Sequence, residues 1–419
     1  MSIRTSTNTN MPGMARPAAA PRRAVRLHVD VPLLLVTITL LIFGALMVYS
    51  ASWDFSNDFF GSPTKATQRQ LTFMGAGFVL ILFLTWMDYH HWRKLAVFTM
   101  AATIVGLVAV LIIGDTRNGA VRAILNGSVQ PSELAKVITV IYLAVWLYAK
   151  RDKLHDVSFG LIPLAAILGF VGGLIFLQPD ISAVLTIMLL GGLMFFLAGG
   201  ELRQILVVLI LGIVVGWVVV QSGGSGGTGS DRLATFKEGL KNPLNSSYHV
   251  TRSLEAFAKG GLFGVGIGNA STKLTGLPVP HTDSIFAVVG EETGFVGSLF
   301  LVTMYGLLLW RGLVIARRAP DGLGRLMAAG LAFWLAIEAF INMAVMVGLM
   351  PFAGNALPFI SAGGSNLLVS MAAIGTLLNI SRQSEKTVEQ EERNFGEVVD
   401  LRWRNRRRRE PRPRRTSQR

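Results

Sequence analysis

Apolar runs close to 20 residues long recur ten times along this chain, and no other feature constrains its fold as strongly. A helix rising about 1.5 Å per residue crosses about 30 Å of hydrocarbon in roughly 20 residues, and its backbone groups are then satisfied internally. The runs fall at residues 31–50, 70–87, 94–114, 132–149, 158–177, 181–199, 203–220, 284–316, 325–350 and 356–380. The run at 284–316 is overlong, which implies tilt or extension into water. The run at 132–149 opens on Gln130-Pro131-Ser132-Glu133 and carries Lys136, so by composition it ranks weakest. Charged residues are 15% of the chain, well below the roughly 25% of ordinary soluble domains. The expected class is an all-α polytopic membrane protein of about ten transmembrane helices. A net charge of +14 does not turn it into a nucleic-acid binder, and the absence of cysteine excludes disulfides, thiolate nucleophiles and Cys-ligated metal centres.

Orientation follows from the excess of Lys and Arg on the inner side of a membrane. With the N-terminus inside, the inner segments hold five in the N-terminal arm, Arg93 and Lys94, then Lys150, Arg151 and Lys153, then Arg203, then Arg311 to Arg325, and thirteen in the C-terminal tail. The outer loops hold two, two, none, six and none, and the six lie in a loop too long to count. Both termini are therefore expected in the cytoplasm. Residues 1–30 read as a disordered cytoplasmic arm, 31–380 as the membrane domain and 381–419 as a basic, disordered cytoplasmic tail attracted to anionic lipid. The first span is longer than a signal-peptide core and reads as an anchor. The large outer loop, 221–283, lies between the seventh and eighth spans. It contains a short amphipathic helix near Asp231 to Leu240 and a glycine-rich stretch, Gly260 to Asn269, expected to turn sharply and lie flat on the membrane.

Ionisable groups at bilayer depth cost about 2.5–3.5 kcal/mol each on insertion scales, so they mark functional candidates. Four polar clusters stand out, all at the outer side. Arg122 leads into Gln130, Glu133 and Lys136, the last two on one helical face where they can neutralise each other. Gln178-Pro179-Asp180 fills a very short outer turn, where Asp180 is placed to cap the next helix. Pro280-His281-Thr282-Asp283 opens a helix bearing Glu291 and Glu292 two turns further on. Asn342 and Pro351 precede Leu357-Pro358-Phe359-Ile360-Ser361-Ala362-Gly363-Gly364-Ser365-Asn366, whose prolines and glycines break helix at the outer edge. Glu338 is a further intramembrane acid. The six histidines are too scattered for a His metal site.

At these residues the chain resembles the SEDS family of RodA, FtsW and SpoVE, polytopic glycosyltransferases that polymerise lipid II into peptidoglycan strands. The resemblance runs from about residue 31 to 380. It rests on Gln130-Pro131-Ser132-Glu133-Leu134-Ala135-Lys136, on Gln178-Pro179-Asp180, on His281-Thr282-Asp283-Ser284-Ile285-Phe286-Ala287 with Gly290-Glu291-Glu292, and on Leu357 to Ser365. Gly266 to Asn269 followed by Lys273-Leu274 looks more like the division branch than the elongation branch. The chain departs from the usual pattern at Ala123, His249, Arg252, Ser284, Ala353 and Ala362.

The resemblance implies that Asp283 is catalytic, as general base on the acceptor sugar 4-hydroxyl in an inverting transfer from a polyprenyl-pyrophosphate-linked glycan. Cations must then meet the leaving pyrophosphate: Arg122 and Lys136 first, Arg252 and Lys273 second, with a divalent ion, Mg or Mn, as a further candidate. Gln130, Glu133, Gln178, Asp180, His281, Thr282, Glu291, Glu292, Ser361, Gly363, Gly364 and Ser365 complete the expected substrate-binding set. The resemblance also implies the cytoplasmic membrane of a bacterium, contact with membrane lipids, no nucleic acid, and a class B penicillin-binding protein as partner. Two other readings stay open at this point: a lipid-precursor flippase or transporter, and a weakly active scaffold for the penicillin-binding protein.

Overall fold

The computed structural model describes residues 29–113, 115–117, 120–123, 130–207, 210 and 228–407; at 59, 60, 115–117, 120–123, 228–230, 244 and 388–407 it describes the backbone alone. The expected arm up to residue 28, most of the span at 203–220, the glycines at 223–227 and the arginine run from residue 408 lie outside the described residues.

Eight helices among the described residues are long and apolar enough to cross a membrane. They are α1 (Val31–Phe60), α2 (Lys65–Trp86), α3 (Trp92–Ile113), α4 (Pro131–Lys150), α5 (Ile162–Phe176, entered through a π-turn at Val157–Leu161), α9 (Ile285–Arg318), α10 (Gly322–Met346) and α11 (Gly364–Arg407). A shorter apolar helix, α6 (Ile181–Leu197), packs between α4, α5 and α10. The segment ahead of α9 supplies α7 (Thr228–Lys241) and α8 (Tyr248–Gly260). A two-stranded antiparallel ribbon, β1 (Asp115–Arg117) with β2 (Ala120–Ala123), follows α3.

Aspartates set several helix starts. Asp30, Asp180 and Asp321 each accept a hydrogen bond from the backbone N–H three residues on, at Leu33, Ala183 and Gly324. Such caps contribute typically about 1 kcal/mol. The centre of the bundle is α10 against α4, α6 and α9, with Trp334 and Leu335 fully buried. α2 and α11 form a second closely packed pair.

Three elements differ from the sequence expectation. α1 continues ten residues beyond the expected span at 31–50 and stops at Gly61, whose φ of 64° only a glycine takes easily. Amphiphilic helix continues there because residues 51–60 contain no helix breaker. The overlong run at 284–316 is two helical pieces joined at Gly294, where φ is 68° and ψ is −165°. The tail expected to be disordered after Ser381 continues α11 as helix to Arg407. Glu, Gln, Lys and Arg dominate that stretch, all strong helix formers, and the first proline comes at Pro411.

The break at Gly294 is closed by the glycine-rich stretch. Val265 and Gly266 donate to the carbonyls of Glu291 and Glu292 (both 3.0 Å), while Phe295 and Val296 donate to Gly261 and Leu262 (2.9 and 3.1 Å). Every group freed by the kink at those positions thus finds a backbone partner, the condition for irregular chain at membrane depth. A Cβ on Gly264 would stand 2.2 Å from the carbonyl oxygen of Glu292, so the approach requires glycine.

Candidate functional site

Three successive carbonyls of the turn before α9 are each held by a different residue. Ala362 N–H donates to His281 O (2.8 Å), Ser361 Oγ to Thr282 O (2.7 Å) and Asn342 Nδ2 to Asp283 O (2.9 Å). Leu357 N–H donates in turn to Ser361 Oγ (2.8 Å), and Asn342 Nδ2 also donates to Asn355 O (2.7 Å). Gln70 of α2 reaches the carbonyl of Ser361 (3.3 Å). Phe359 takes a positive φ of 67° in this segment, and Tyr305 of α9 donates to the Pro358 carbonyl. A Cβ at Gly44 of α1 would meet the Phe359 carbonyl oxygen at 2.2 Å, so α1 presses directly on this bend.

The effect is to fix the backbone of residues 281–283, Asp283 through its own carbonyl, while the Asp283 side chain stays half-buried. Asp283 stands one residue ahead of Ser284, the N-cap of α9, where the helix dipole favours negative charge. His281 is 9% exposed and stacks on Phe55 of α1, ring centroids 4.3 Å apart. Burial pushes its imidazole down to about 4, so the ring is neutral in ordinary conditions.

Beneath this turn lies a buried charged group. Lys136 Nζ meets Glu133 Oε1 at 3.0 Å and Glu338 Oε1 at 2.8 Å, all three side chains no more than 7% exposed. Asn366 Nδ2 donates to the second oxygen of Glu133 (2.8 Å), and Asn355 Nδ2 to the carbonyl of Glu338 (3.0 Å), which ties this layer to the Asp283 turn. Asp180 caps α6 and accepts from Ser182 Oγ (2.9 Å) and Ser132 Oγ (3.2 Å). Gln130 donates through its backbone to Ser365 Oγ (3.1 Å) and through Nε2 to Ser132 Oγ (3.1 Å). Gln178 is fully buried and donates to the carbonyl of Leu107 (3.0 Å). Gly364 packs against Phe73, and Gly363 precedes it at the turn into α11.

The expected residues therefore divide. Gln130, Glu133, Lys136, Asp180, His281, Thr282, Asp283, Ser361 and Ser365 join one continuous hydrogen-bonded body, whereas Lys273, Glu291 and Glu292 hold the loop after α8 against α1 and α9. Lys273 Nζ reaches Glu292 Oε1 (3.1 Å), Ser50 Oγ and O (both 3.1 Å) and Gly268 O (2.9 Å). Glu291 accepts from the N–H of Ser271 (2.8 Å) and Thr272 (3.2 Å) and from both their hydroxyls. Both glutamates are buried, at 0% and 1% exposure, so they anchor loop to helix and do not line an open surface. Arg252 on α8 is part-exposed and pairs with Glu255 at 2.6 Å. The Arg122 side chain lies outside the described residues.

Sequence reasoning passed over Gln70, Asn355 and Ser50. A polar residue opening an apolar run was the available signal for Gln70; the other two reveal themselves only through partners distant in the chain. At the departure His249, the ring stacks on Phe352 (4.0 Å), with burial first and the Arg232 charge second lowering its proton affinity. Beside it, a small recess lies between α7, α8 and the 348–352 bend, lined by Phe236, Val250, Met350 and Phe352 among others.

A resident divalent ion would need converging carboxylates that carry no other cation. The acids with suitable chemistry, Glu133 and Glu338, converge on the ammonium of Lys136, which takes the place an ion would need. Among the described residues no group of three or more His, Cys, Asp or Glu is arranged to hold a metal.

A bundle of membrane-crossing helices with one helix broken near one end, and an aspartate in a clamped turn beside a buried Lys–Glu group, defines a polytopic membrane protein with a site at one face. Residues 31–386 match the cell cycle protein family of FtsW, RodA and SpoVE, and the chain belongs to that family. It is 39% identical over 356 residues to a probable peptidoglycan glycosyltransferase FtsW of Trichlorobacter lovleyi, covering 84% of this chain and 93% of the relative. It is 36% identical to stage V sporulation protein E of Bacillus subtilis over 361 residues, 85% and 97% of the two chains. Among solved structures, it is similar to one described as the structural coordination of polymerization and crosslinking by a peptidoglycan synthase complex (TM-score 0.68, 26% identity, 85% of this chain and 99% of that one). The rod shape determining protein RodA of Thermus thermophilus is also similar (TM-score 0.63, 27% identity, 86% and 98%).

Proposed function

We propose that this protein is a peptidoglycan glycosyltransferase that polymerises lipid II into glycan strands at the outer face of a bacterial cytoplasmic membrane. The observation that carries the reading is the set of three hydrogen bonds on the carbonyls of His281, Thr282 and Asp283, which fixes the turn that bears the Asp283 carboxylate at the mouth of a broken helix. Relatives named as peptidoglycan glycosyltransferases support the reaction class, and the lysine and arginine distribution supports an outward-facing site with both termini inside.

In the proposed reaction Asp283 takes the proton of the acceptor sugar 4-hydroxyl as its oxygen attacks the anomeric carbon of the lipid-linked donor. The bond to the polyprenyl pyrophosphate breaks and the configuration inverts. Lys136 is engaged by two glutamates, so its part is to keep the layer under Asp283 in place. Arg252 and Arg122 are the proposed cations for the leaving pyrophosphate, and a divalent ion that takes part travels with that pyrophosphate. A class B penicillin-binding protein is the proposed crosslinking partner, in keeping with the synthase complex among the structural neighbours. The FtsW names among the relatives favour the division branch.

Among the described residues, the buried ionisable groups around Lys136 lie near the Asp283 end of the bundle and do not continue as a path toward the Asp30 end, which argues against a transporter. The test is polymerisation of lipid II by purified protein. Asp283→Ala and Asp283→Asn are expected to slow it by about 10²-fold or more. A variant that folds and polymerises at the parental rate would remove Asp283 from the role of base.

A further inference from the structure

The depth of the glycine-rich stretch can be measured against two helices. On α1, Asp30 caps the helix at one end of the bundle and pairs with Arg311 of α9 (Oδ2 to Nη2, 2.5 Å). Ser50, at the other end, contacts Lys273 and Glu292. The separation of about 20 residues corresponds to about 30 Å, the thickness of the hydrocarbon layer. On α9, Gly294 stands about 17 residues from Arg311, or about 25 Å. Residues 261–266 are hydrogen-bonded to 291–296, so both rulers place them in the leaflet nearest Asp283, at or just inside its boundary with the headgroups.

The stretch is built for that depth. Its N–H and carbonyl groups at 261, 262, 265 and 266 pair with those freed by the kink, and its outer edge is apolar. Phe263 is 81% exposed, and Leu262 and Ile267 are exposed beside it. This edge runs into the exposed Phe295, Val296 and Leu299 of α9, whose face turns away from the bundle. An apolar surface continuous with the outward face of a membrane helix, at the same level, adjoins acyl chains.

We propose that residues 260–269 form a re-entrant element whose apolar edge is seated among the acyl chains of the leaflet nearest Asp283. The element tethers the Asp283 turn to the lipid boundary through Lys273, Glu291 and Glu292, at the level where a pyrophosphate-linked lipid presents its headgroup. This placement rests on the membrane-crossing helices and stands whether or not Asp283 is the base.

The absence of cysteine allows a direct test with the full chain in phosphatidylcholine vesicles. Phe263→Cys and Ile267→Cys, both at exposed positions, are labelled with bimane and exposed in turn to acyl-brominated phosphatidylcholine and to aqueous iodide. Val105→Cys on the exposed face of α3 is the lipid reference and Glu238→Cys on α7 the water reference. The expected result is that brominated lipid lowers the emission at 263 and 267 by about twofold, as at 105, while iodide does so only at 238. Quenching of 263 and 267 by iodide and not by lipid would overturn the proposal in favour of a water-exposed loop. Quenching by neither would overturn it in favour of cover by protein, a partner or a second copy.

Discussion

At the scale of single residues, Lys136 carries one positive charge into a site where Glu133 and Glu338 both bind it and Asp180 acts on it from nearby. Removing the ammonium leaves two carboxylates buried against each other, and breaking such a group from one side costs about 3–5 kcal/mol. Lys136→Met is therefore expected to lower the thermal midpoint sharply, and Lys136→Met with Glu338→Gln to recover part of the loss, because one uncompensated charge is gone. Thermal unfolding of the two variants and of Glu338→Gln alone, read as a double-mutant cycle, checks the sign. His281 gives a second prediction. The unfolded imidazole protonates near 6.5 and the folded one near 4, because burial disfavours the charged ring. Between those values the unfolded chain binds more protons, so this contribution is complete above about pH 6.5 and is lost as pH falls toward 4. The expected loss is on the order of 3 kcal/mol, absent in His281→Phe, whose ring still packs on Phe55. Measured from pH 7.5 to 4.5, the parental midpoint should fall relative to that of His281→Phe.

At the scale of elements, the break in α9 is a designed feature and its glycines are not interchangeable with others in the same helix. A Cβ on Gly294 would stand 2.4 Å from the backbone nitrogen of Gly264, at a φ of 68°. Gly306, twelve residues on in the same helix, has nothing within 4 Å of its would-be Cβ. Gly294→Ala is expected to destabilise by about 1–3 kcal/mol, whereas Gly306→Ala should be neutral or stabilise by up to about 1 kcal/mol. Thermal midpoints of the pair separate strain from a general effect of alanine in α9. The element scale also shows what was legible beforehand. Apolar length located α2, α3, α4, α6 and α10 to within a few residues, because span length is a local property. It read 284–316 as one long helix, since nothing in residue order reveals that a distant stretch will satisfy the groups of a kink. The site divided the same way: the pairing of Glu133 with Lys136 follows from three-residue spacing, but Glu338 joins them from 202 residues away. The acids Glu291 and Glu292 looked like ligands because the sequence does not show that Ser271, Thr272 and Lys273 fold back onto them.

At the scale of the whole molecule, the basic excess and the site belong to opposite ends of the bundle. Asp30, Arg93, Arg311 and Asp321 mark one end, where Arg93 pairs with Asp321 at 2.9 Å and Arg311 with Asp30. Asp283, Glu133, Glu338 and the loop helices α7 and α8 mark the other. The side-chain contacts fix this polarity, and the lysine and arginine distribution predicts that the Asp30 end faces the cytoplasm. Thirteen of the 39 Lys and Arg follow Ser381 and five precede residue 31, so translocating either terminus would carry a large positive charge outward, against the membrane potential. Single cysteines at Ser2, Glu238 and Ser417 in this otherwise cysteine-free chain are thus expected to react differently with a membrane-impermeant maleimide. Glu238→Cys should label in intact cells, and Ser2→Cys and Ser417→Cys only after permeabilisation. Labelling of either terminus from outside would reverse the orientation, put Asp283 on the cytoplasmic side and remove the basis for strand polymerisation at the outer face.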